Sequence, residues 1–202
     1  MKYVLPTLAL GILAGYLNNN FGVPLLSTFF SEYAFNFSLI ALLFLMGTLF
    51  AMDEKAVAKI REAKFRILVF PLAVALGSIT GGLIGGIILR IDVFASMGVC
   101  AGYGWYTLAG PMAGQLFGLE WGALGFAVNL LRELATIAAT SLVAKLDKYA
   151  PIAMGGATAM DTTLPVIVRY CGQETLITAF SSGFILTVAA PFTITAIAAI
   201  AH

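Results

Sequence analysis

Two acidic residues in long apolar stretches are the first candidates for chemistry in this chain. Asp161 lies in GATAMDTTLP, and Glu133 lies in NLLREL, directly after Arg132. A charged side chain that faces lipid costs several kcal/mol, so intramembrane carboxylates are rare and usually have a function. Burial raises the pKa of such a group, and a bound cation lowers it. We therefore predict that both carboxylates bind a cation and can exchange it for a proton.

A polar stripe accompanies Glu133 along one face of a predicted helix. Asn129, Glu133, Thr136 and Thr140 recur at i, i+4, i+7 and i+11, which places them on one side of the helix. This face is predicted to avoid lipid. Arg132 lies about 100° around the helix from Glu133, and it could pair with Glu133, reach another helix or extend to water. A buried Arg–Glu pair is the structural alternative to a place in an ion or substrate path.

One apolar stretch is interrupted by helix-breaking residues next to aromatic ones. In residues 102–112, GYGWYTLAGPM, two early glycines loosen the helix, and the pair Gly110-Pro111 is predicted to end it. Freed backbone groups survive in a membrane only against protein or a water-filled cavity. Trp105 and Tyr106 are predicted to line that cavity. The alternative is an aromatic pair at the membrane interface.

A second interrupted stretch surrounds Asp161. Gly155 and Gly156 are predicted to break the helix before the carboxylate, and Pro165 is predicted to help unwind it afterwards. Two interrupted segments on either side of a carboxylate-bearing helix are typical of secondary transporters. In such proteins half-helix ends face the substrate and coupling ions near the midplane. Asp161 is therefore predicted to meet Glu133.

The composition identifies the class of protein that must position these residues. The chain has 202 residues, of which 60% are hydrophobic and only 10% charged, against about 25% charged in soluble domains. This indicates an integral membrane protein. No basic run could follow phosphates, which excludes nucleic acid as a partner. Cys100 and Cys171 are isolated, so neither a metal site nor a disulfide framework is predicted.

The predicted fold is an all-α integral membrane protein that forms a single transporter domain over residues 1–202. It has about five full transmembrane helices and two interrupted segments, either re-entrant or broken. An inverted repeat could relate them. The full helices are predicted at Tyr3–Leu17, Phe35–Met52, Ile67–Leu89, Trp121–Ala144 and Thr175–Ile200, and the interrupted segments at Val93–Phe117 and Pro151–Tyr170.

Basic residues indicate the orientation in a cell (inner or plasma) membrane. The loop Asp53–Arg66 carries five basic residues, which places it in the cytoplasm by the positive-inside rule. The N-terminus is then predicted inside, and the C-terminus with His202 outside. If both interrupted segments cross the membrane, Lys145 and Lys148 lie outside. If both are re-entrant hairpins, these lysines and Arg169 lie inside, and the charge distribution favours this arrangement.

Together, NLLREL, GATAMDTTLP and GYGWYTLAGPM resemble the lysine exporter family (LysO type) of bacteria and archaea. The resemblance extends over essentially the whole chain, and MDTTLP is its most specific part. It implies an inner-membrane carrier that expels L-lysine and its toxic analogue thialysine. Two intramembrane acidic residues matter for transport in that family. By motif they correspond to Glu133 and Asp161.

The chemistry of lysine suggests roles for the remaining candidates. Glu133 and Asp161 could receive its ammonium groups, while a half-helix N-terminus or Arg132 takes its carboxylate. An inside-negative potential opposes the export of a cation, so antiport with H+ or Na+ is expected, without another cofactor. Thr162 and Thr163, with freed carbonyls near them, are the candidates for a Na+ site.

Three other functions compete with lysine export. Full-length family members carry a further N-terminal membrane region that this chain lacks, which suggests a homo-oligomer or a separate small membrane subunit. The chain could accordingly be a non-transporting subunit. It could also export another small solute through the same architecture. In an intramembrane protease two acidic residues share a proton, but the sequence contexts of Glu133 and Asp161 differ from those of such enzymes, so no enzyme is predicted.

Overall fold

The computed structural model describes residues 4–21, 29–34 and 66–201, with the isolated positions 37, 40, 41, 44, 45, 48 and 52. This described part is helical and contains no strand. The chain divides into two compact units, residues 1–52 and 53–202. Most of the predicted helix Phe35–Met52, all of the charged loop before Arg66, and His202 lie outside the described residues.

The first unit contains helix α1, Val4–Phe21, and a π-helical turn, Phe29–Ala34. The predicted span Tyr3–Leu17 falls on α1, but the helix continues through three asparagines, residues 18–20. The predicted and observed ends differ because an apolar run indicates only which residues contact lipid. A helix continues as far as its backbone hydrogen bonds do.

The second unit contains seven α-helices among its described residues. They are α2 (Arg66–Leu89), α3 (Val93–Cys100), α4 (Tyr106–Phe117), α5 (Leu119–Val143), α6 (Ala150–Gly155), α7 (Leu164–Cys171) and α8 (Leu176–Ala201). Among the residues that the structure describes, three spans are long and apolar enough to cross a membrane by length and composition: Leu68–Leu89, Leu119–Val143 and Gln173–Ala201. They coincide with three of the full helices predicted from the sequence.

The first interrupted segment breaks where its early glycines predict. Residues 101–105 separate α3 from α4. The prediction that Gly110-Pro111 ends a helix is wrong, because α4 continues through Pro111. A proline inside a helix forfeits the hydrogen bond to the carbonyl four residues earlier, which here belongs to Thr107 in the first turn. Tight packing holds the helix together, since a Cβ on Gly110 would lie only 2.9 Å from the Cβ of Phe126 in α5.

The second interrupted segment also breaks at its glycines. Helix α6 ends at Gly155, a 3-10 turn covers Gly156–Met160, and α7 begins at Leu164. The prediction that Pro165 helps to unwind the chain is wrong, because Pro165 lies in the first turn of α7. Proline suits this position because first-turn N–H groups have no partner within the helix and its fixed φ is already helical.

Helices α2 and α5 run antiparallel. Arg132 of α5 donates from Nη1 to Ser78 Oγ of α2 at 2.7 Å. One turn earlier in α5, Asn129 donates to the carbonyl of Val99 at the end of α3. Helix α3 in turn packs on α2 one turn after Ser78, where the carbonyl of Gly82 accepts a hydrogen bond from α3. Phe70 near the start of α2 and Ala144 just after the end of α5 also pack against one apolar cluster. Residue numbers therefore rise along α2 as they fall along α5.

Close packing of glycines joins α4 to α5. The chain reverses at Gly118, whose φ of +110° favours glycine. Beyond this turn a Cβ on Gly122 would lie 3.0 Å from the Cα of Gly114. The two helices therefore pack backbone against backbone.

An apolar cluster joins the second interrupted segment to its neighbours. Its buried members are Ile152, Ala159, Ile167, Cys171 and Ala179, and Phe70, Ala144 and Leu164 pack against them. The cluster holds α6, α7 and the start of α8 against the adjoining ends of α2 and α5. Cys171 is a free thiol within it.

Candidate functional site

The two helix breaks meet in space. The N–H of Ala157 in the second break donates to the carbonyl of Tyr103 in the first at 2.8 Å. A Cβ on Gly104 would lie 3.0 Å from the carbonyl oxygen of Gly155, and a Cβ on Gly156 would overlap the Tyr103 oxygen. Gly104 and Gly156 have φ values of +99° and +61°, which favour glycine. These glycines therefore interrupt their helices and also let the two breaks touch.

Tyr103 anchors this junction, and the sequence analysis missed it. Its side chain is fully buried, and its hydroxyl donates to Thr193 Oγ1 of α8 at 3.2 Å. Its φ is +53°, a conformation that non-glycine residues adopt only when surrounding contacts hold them there. The available signal was its position between Gly102 and Gly104, where the chain has to leave the helical conformation.

Asn129 satisfies the backbone of the first break. Its Nδ2 donates to the carbonyls of Val99 at 2.9 Å and Gly125 at 2.8 Å. Its Oδ1 accepts from the N–H of Gly104 at 2.7 Å. The side chain is buried with the rest of the stripe predicted from the sequence, which includes Thr136 and Thr140. Both amide hydrogens of Asn129 are thus used in holding the polypeptide.

Arg132 serves the second break. Its Nε donates to the carbonyl of Met154 at 2.8 Å, its Nη2 to that of Ala153 at 2.9 Å, and its Nη1 to Ser78 Oγ. The two carbonyls belong to the end of α6, where a cation complements the helix dipole. Of the three arrangements considered from the sequence, Arg132 therefore reaches another helix. Within residues 66–201 no ion pair joins it to Glu133.

Glu133 has a different environment from its neighbour. It is only 8% exposed, and its Oε2 has no hydrogen-bond partner among the described residues. The Thr162 side chain and Asp161 lie near the carboxyl group. A buried polar atom without a partner costs free energy unless a proton, water or ligand satisfies it. Glu133 therefore has an unused position for a cationic group.

Asp161 lies beside Glu133 but is exposed. Its Oδ1 accepts from the N–H of Thr162 at 2.5 Å and from the Thr162 hydroxyl at 3.4 Å. Thr163 is fully buried, and its hydroxyl donates to the carbonyl of Thr158 at 3.0 Å. The two threonines next to Asp161 thus differ, because Thr162 faces the carboxylates and Thr163 holds the turn together.

Trp105 and Tyr106 stand at the start of α4. Both are half-buried. The Tyr106 ring meets Phe126 of α5 edge to face, with centroids 5.3 Å apart. Tyr106 therefore packs on the helix that carries Glu133. Among residues 66–201, no hydrogen bond or ring contact joins the Trp105 side chain to Glu133 or Asp161.

The described residues offer no group of three or more His, Cys, Asp or Glu side chains that could hold a metal ion. An oxygen-liganded cation such as Na+ would instead use hydroxyls and carbonyls. The Thr158 carbonyl already accepts from the N–H groups of Asp161 and Thr163 and from the Thr163 hydroxyl. The Na+ site near Thr162 and Thr163 stays a prediction.

The arrangement can bind ammonium groups. One buried and one exposed carboxylate lie close together beside two unwound turns. Asn129 and Arg132 hold those turns from the same helix, three residues apart. Other side chains thus bond the backbone groups of the breaks, and the Oε2 atom of Glu133 stays available to a ligand.

Comparisons with known proteins agree on one family. The family model described as "Lysine exporter LysO" matches residues 5–198. The chain is 30% identical over 185 residues to the lysine exporter LysO of Escherichia coli (strain K12), covering 90% of this chain and 62% of that protein. It is 29% identical over 116 residues to a Haemophilus influenzae protein named "Putative lysine exporter", covering 57% and 60%. The chain spans about 60% of the length of these curated relatives. No solved structure matches it.

Proposed function

This membrane protein belongs to the lysine exporter LysO family, a transporter family rather than an enzyme family, and we propose that it is a secondary active exporter of L-lysine. The observation that carries the proposal is the buried, unpartnered Oε2 of Glu133 beside Asp161. A carboxylate oxygen in that position is suited to an ammonium group. Lysine has two ammonium groups, and thialysine has the same two, so it is the expected second substrate.

Coupling follows from the charge of the substrate. Export of a net cation against an inside-negative potential needs an energy source, which we take to be antiport with H+ or Na+. Glu133 and Asp161 can hold a proton in place of the substrate's ammonium groups, because the two cations compete for the same carboxylates. Thr162, whose side chain lies within reach of Glu133 and bonds Asp161, is the hydroxyl best placed to assist either.

The first interrupted segment is proposed to be a re-entrant hairpin. Because α2 and α5 run antiparallel, the end of α2 and the start of α5 lie at the same end of the helix pair. Residues 90–118 connect these two points, so they enter and leave on one side. The break at residues 101–105 is then the tip of the hairpin, and α3 and α4 are its two arms.

The second interrupted segment is proposed to be a hairpin from the opposite side. Lys148, just before α6, and Glu174, just after α7, form an ion pair with Nζ 3.4 Å from Oε1. A segment that crossed the membrane would separate these residues by about 30 Å of hydrocarbon. Two hairpins of opposite orientation fit an inverted repeat built around α5.

The positive-inside rule gives the proposed orientation in the cell membrane. Lys145, Lys148 and Arg169 then share the cytoplasmic side with the basic loop before α2 and with the N-terminus. The C-terminus lies outside. We also propose that the chain acts as a homo-oligomer or together with a separate small membrane subunit.

The direct test is lysine efflux from proteoliposomes that contain this chain alone, preloaded with labelled L-lysine under an H+ or Na+ gradient. Asp161→Asn and Glu133→Gln are each expected to lower efflux about 10- to 100-fold, because a hydrogen bond to a charged group contributes about 1.5–3 kcal/mol. Glu120→Gln, in the first turn of α5 and exposed, is the matched control and should export normally.

Two results would count against this function. Normal efflux from both carboxylate variants would remove Glu133 and Asp161 from the transport path. Absence of efflux from wild type, despite a monodisperse protein with a sharp melting transition, would indicate a required partner chain or a different solute.

A further inference from the structure

Helix α4 begins at the junction of the two breaks with one unused backbone donor. The residue before it, Trp105, makes no side-chain capping bond. The N–H of Tyr106 reaches only the carbonyl of Gly104, two residues earlier, at 3.0 Å. The N–H of Thr107 has no partner among the described residues. With 12 residues and its positive dipole end free, α4 presents a site that favours an anion.

The other positive groups near the carboxylates are already engaged. Arg132 donates to Ser78 and to two carbonyls of α6. At the start of α7, the N–H of Thr163 donates to Thr158 and that of Leu164 to the carbonyl of Asp161, while Pro165 has no N–H. An anion brought to this region would therefore meet a free donor, the N–H of Thr107, at the start of α4.

A second observation points to a ligand at the same place. Glu133, more than nine-tenths buried, keeps its Oε2 without a partner in the described structure, and Tyr106, the first residue of α4, packs on the same helix α5 through Phe126. The N–H of Gly104 bonds Asn129, and a Cβ on Gly104 would lie 3.8 Å from Arg132 Cδ, so the start of α4 lies next to the turn of α5 that leads to Glu133. A free anion site and a free carboxylate side by side match a molecule that carries an anionic and a cationic group on the same carbon atom.

The geometry points to a subsite for the α-amino-acid group of the substrate between α4 and Glu133. The substrate's α-carboxylate binds the N-terminus of α4 at Thr107, and its α-ammonium binds Glu133. Because both groups are attached to one carbon, this arrangement fixes which end of the substrate lies at the start of α4. Asp161, exposed on the second break, is left for the side-chain ammonium. The subsite rests on the proposed function, which supplies the class of substrate.

The subsite predicts that a negative charge introduced at position 107 repels the carboxylate of the ligand. Thr107→Asp adds a negative charge at the start of α4, where it stabilises the helix itself. Binding of L-lysine is expected to weaken about tenfold or more, because the added carboxylate repels the ligand's own. Binding of 1,5-diaminopentane, which has both ammonium groups and no carboxylate, should be unchanged or tighter. Both ligands are measured by calorimetry on the full chain in detergent.

The control places the same charge on another helix start. Leu119→Asp adds a carboxylate to the first turn of α5, at the far end of α4 and 90% exposed, and should leave both affinities within about twofold of wild type. Equal weakening of both ligands by Thr107→Asp, or no change in either, would overturn the subsite. If the wild-type chain binds neither ligand, the proposed substrate class fails and the subsite fails with it. Retained diaminopentane binding shows that the variant is folded.

Discussion

At the scale of single residues, the division of work between Arg132 and Glu133 explains the site. They are neighbours in the chain, yet Arg132 uses three nitrogens to hold α6 and Ser78, while Glu133 keeps an oxygen free. A buried guanidinium charge has to be stabilised by polar partners. The carbonyls at the end of α6 do this, so Arg132 does not need to pair with a carboxylate. If Arg132 paired with Glu133, that carboxylate would be less available to a substrate.

Gly156 gives the sharpest test of the junction at this scale. Gly156→Ala would bring a Cβ against the carbonyl of Tyr103, and the backbone there has positive φ. Export is expected to fall about tenfold or more, and the melting temperature to drop, because strained conformations cost about 1–3 kcal/mol each before any clash. Efflux and thermal unfolding in detergent measure both effects.

Gly118→Ala is the matched control for that variant. Its φ is also positive, at +110°, but nothing lies within 4 Å of the added Cβ. It should lose stability from backbone strain while exporting lysine at a rate close to wild type. Equal losses of export from Gly118→Ala and Gly156→Ala would mean that contact between the breaks is not needed for transport.

At the scale of elements, α5 organises both interrupted segments. Asn129 bonds the first break and Arg132 the end of α6, so one helix holds both from positions one turn apart.

Cross-links can test whether each interrupted segment returns to the side of the membrane from which it starts. Such a test is needed because a break in a helix has the same local chemistry in a crossing segment and in a hairpin.

A cysteine pair at Lys148 and Glu174 tests the second hairpin. In a background with Cys100→Ala and Cys171→Ala, Lys148→Cys with Glu174→Cys should cross-link efficiently with a short bifunctional reagent, because the native side chains approach within 3.4 Å. Lys148→Cys with Glu120→Cys is the comparison pair, on opposite sides in either threading. If the first pair reacts no faster than the second on a denaturing gel, the hairpin is wrong.

At the scale of the whole molecule, the two threadings predict opposite sidedness for the same loops. With two hairpins, the loop after α5 lies in the cytoplasm and the turn between α4 and α5 lies outside. With two crossing segments, these positions are reversed. Leu146 and Leu119 represent the two places and are almost equally exposed, at 89% and 90%, so their reactivities can be compared directly.

Leu146→Cys and Leu119→Cys, each without the native cysteines, are expected to react from opposite faces. In intact cells a membrane-impermeant maleimide should label Leu119→Cys, while Leu146→Cys should react only after permeabilisation. The physical reason is that a hairpin enters and leaves the hydrocarbon on the same side, so the chain on either side of it stays on one face of the membrane. The reverse pattern would show that both interrupted segments cross the membrane.

The sequence by itself determined the class of protein, three of its long helices, the positions of both breaks and the buried polar stripe of α5. These depend on composition, helical periodicity and the backbone properties of glycine, all of which act over a few residues. The predictions that Gly110-Pro111 and Pro165 interrupt a helix were wrong, because the effect of a proline depends on packing and on its position within the helix. Only the tertiary structure decided that the breaks touch, that Tyr103 anchors them and that Arg132 bonds α6. Those contacts join residues far apart in the chain, so no local pattern records them.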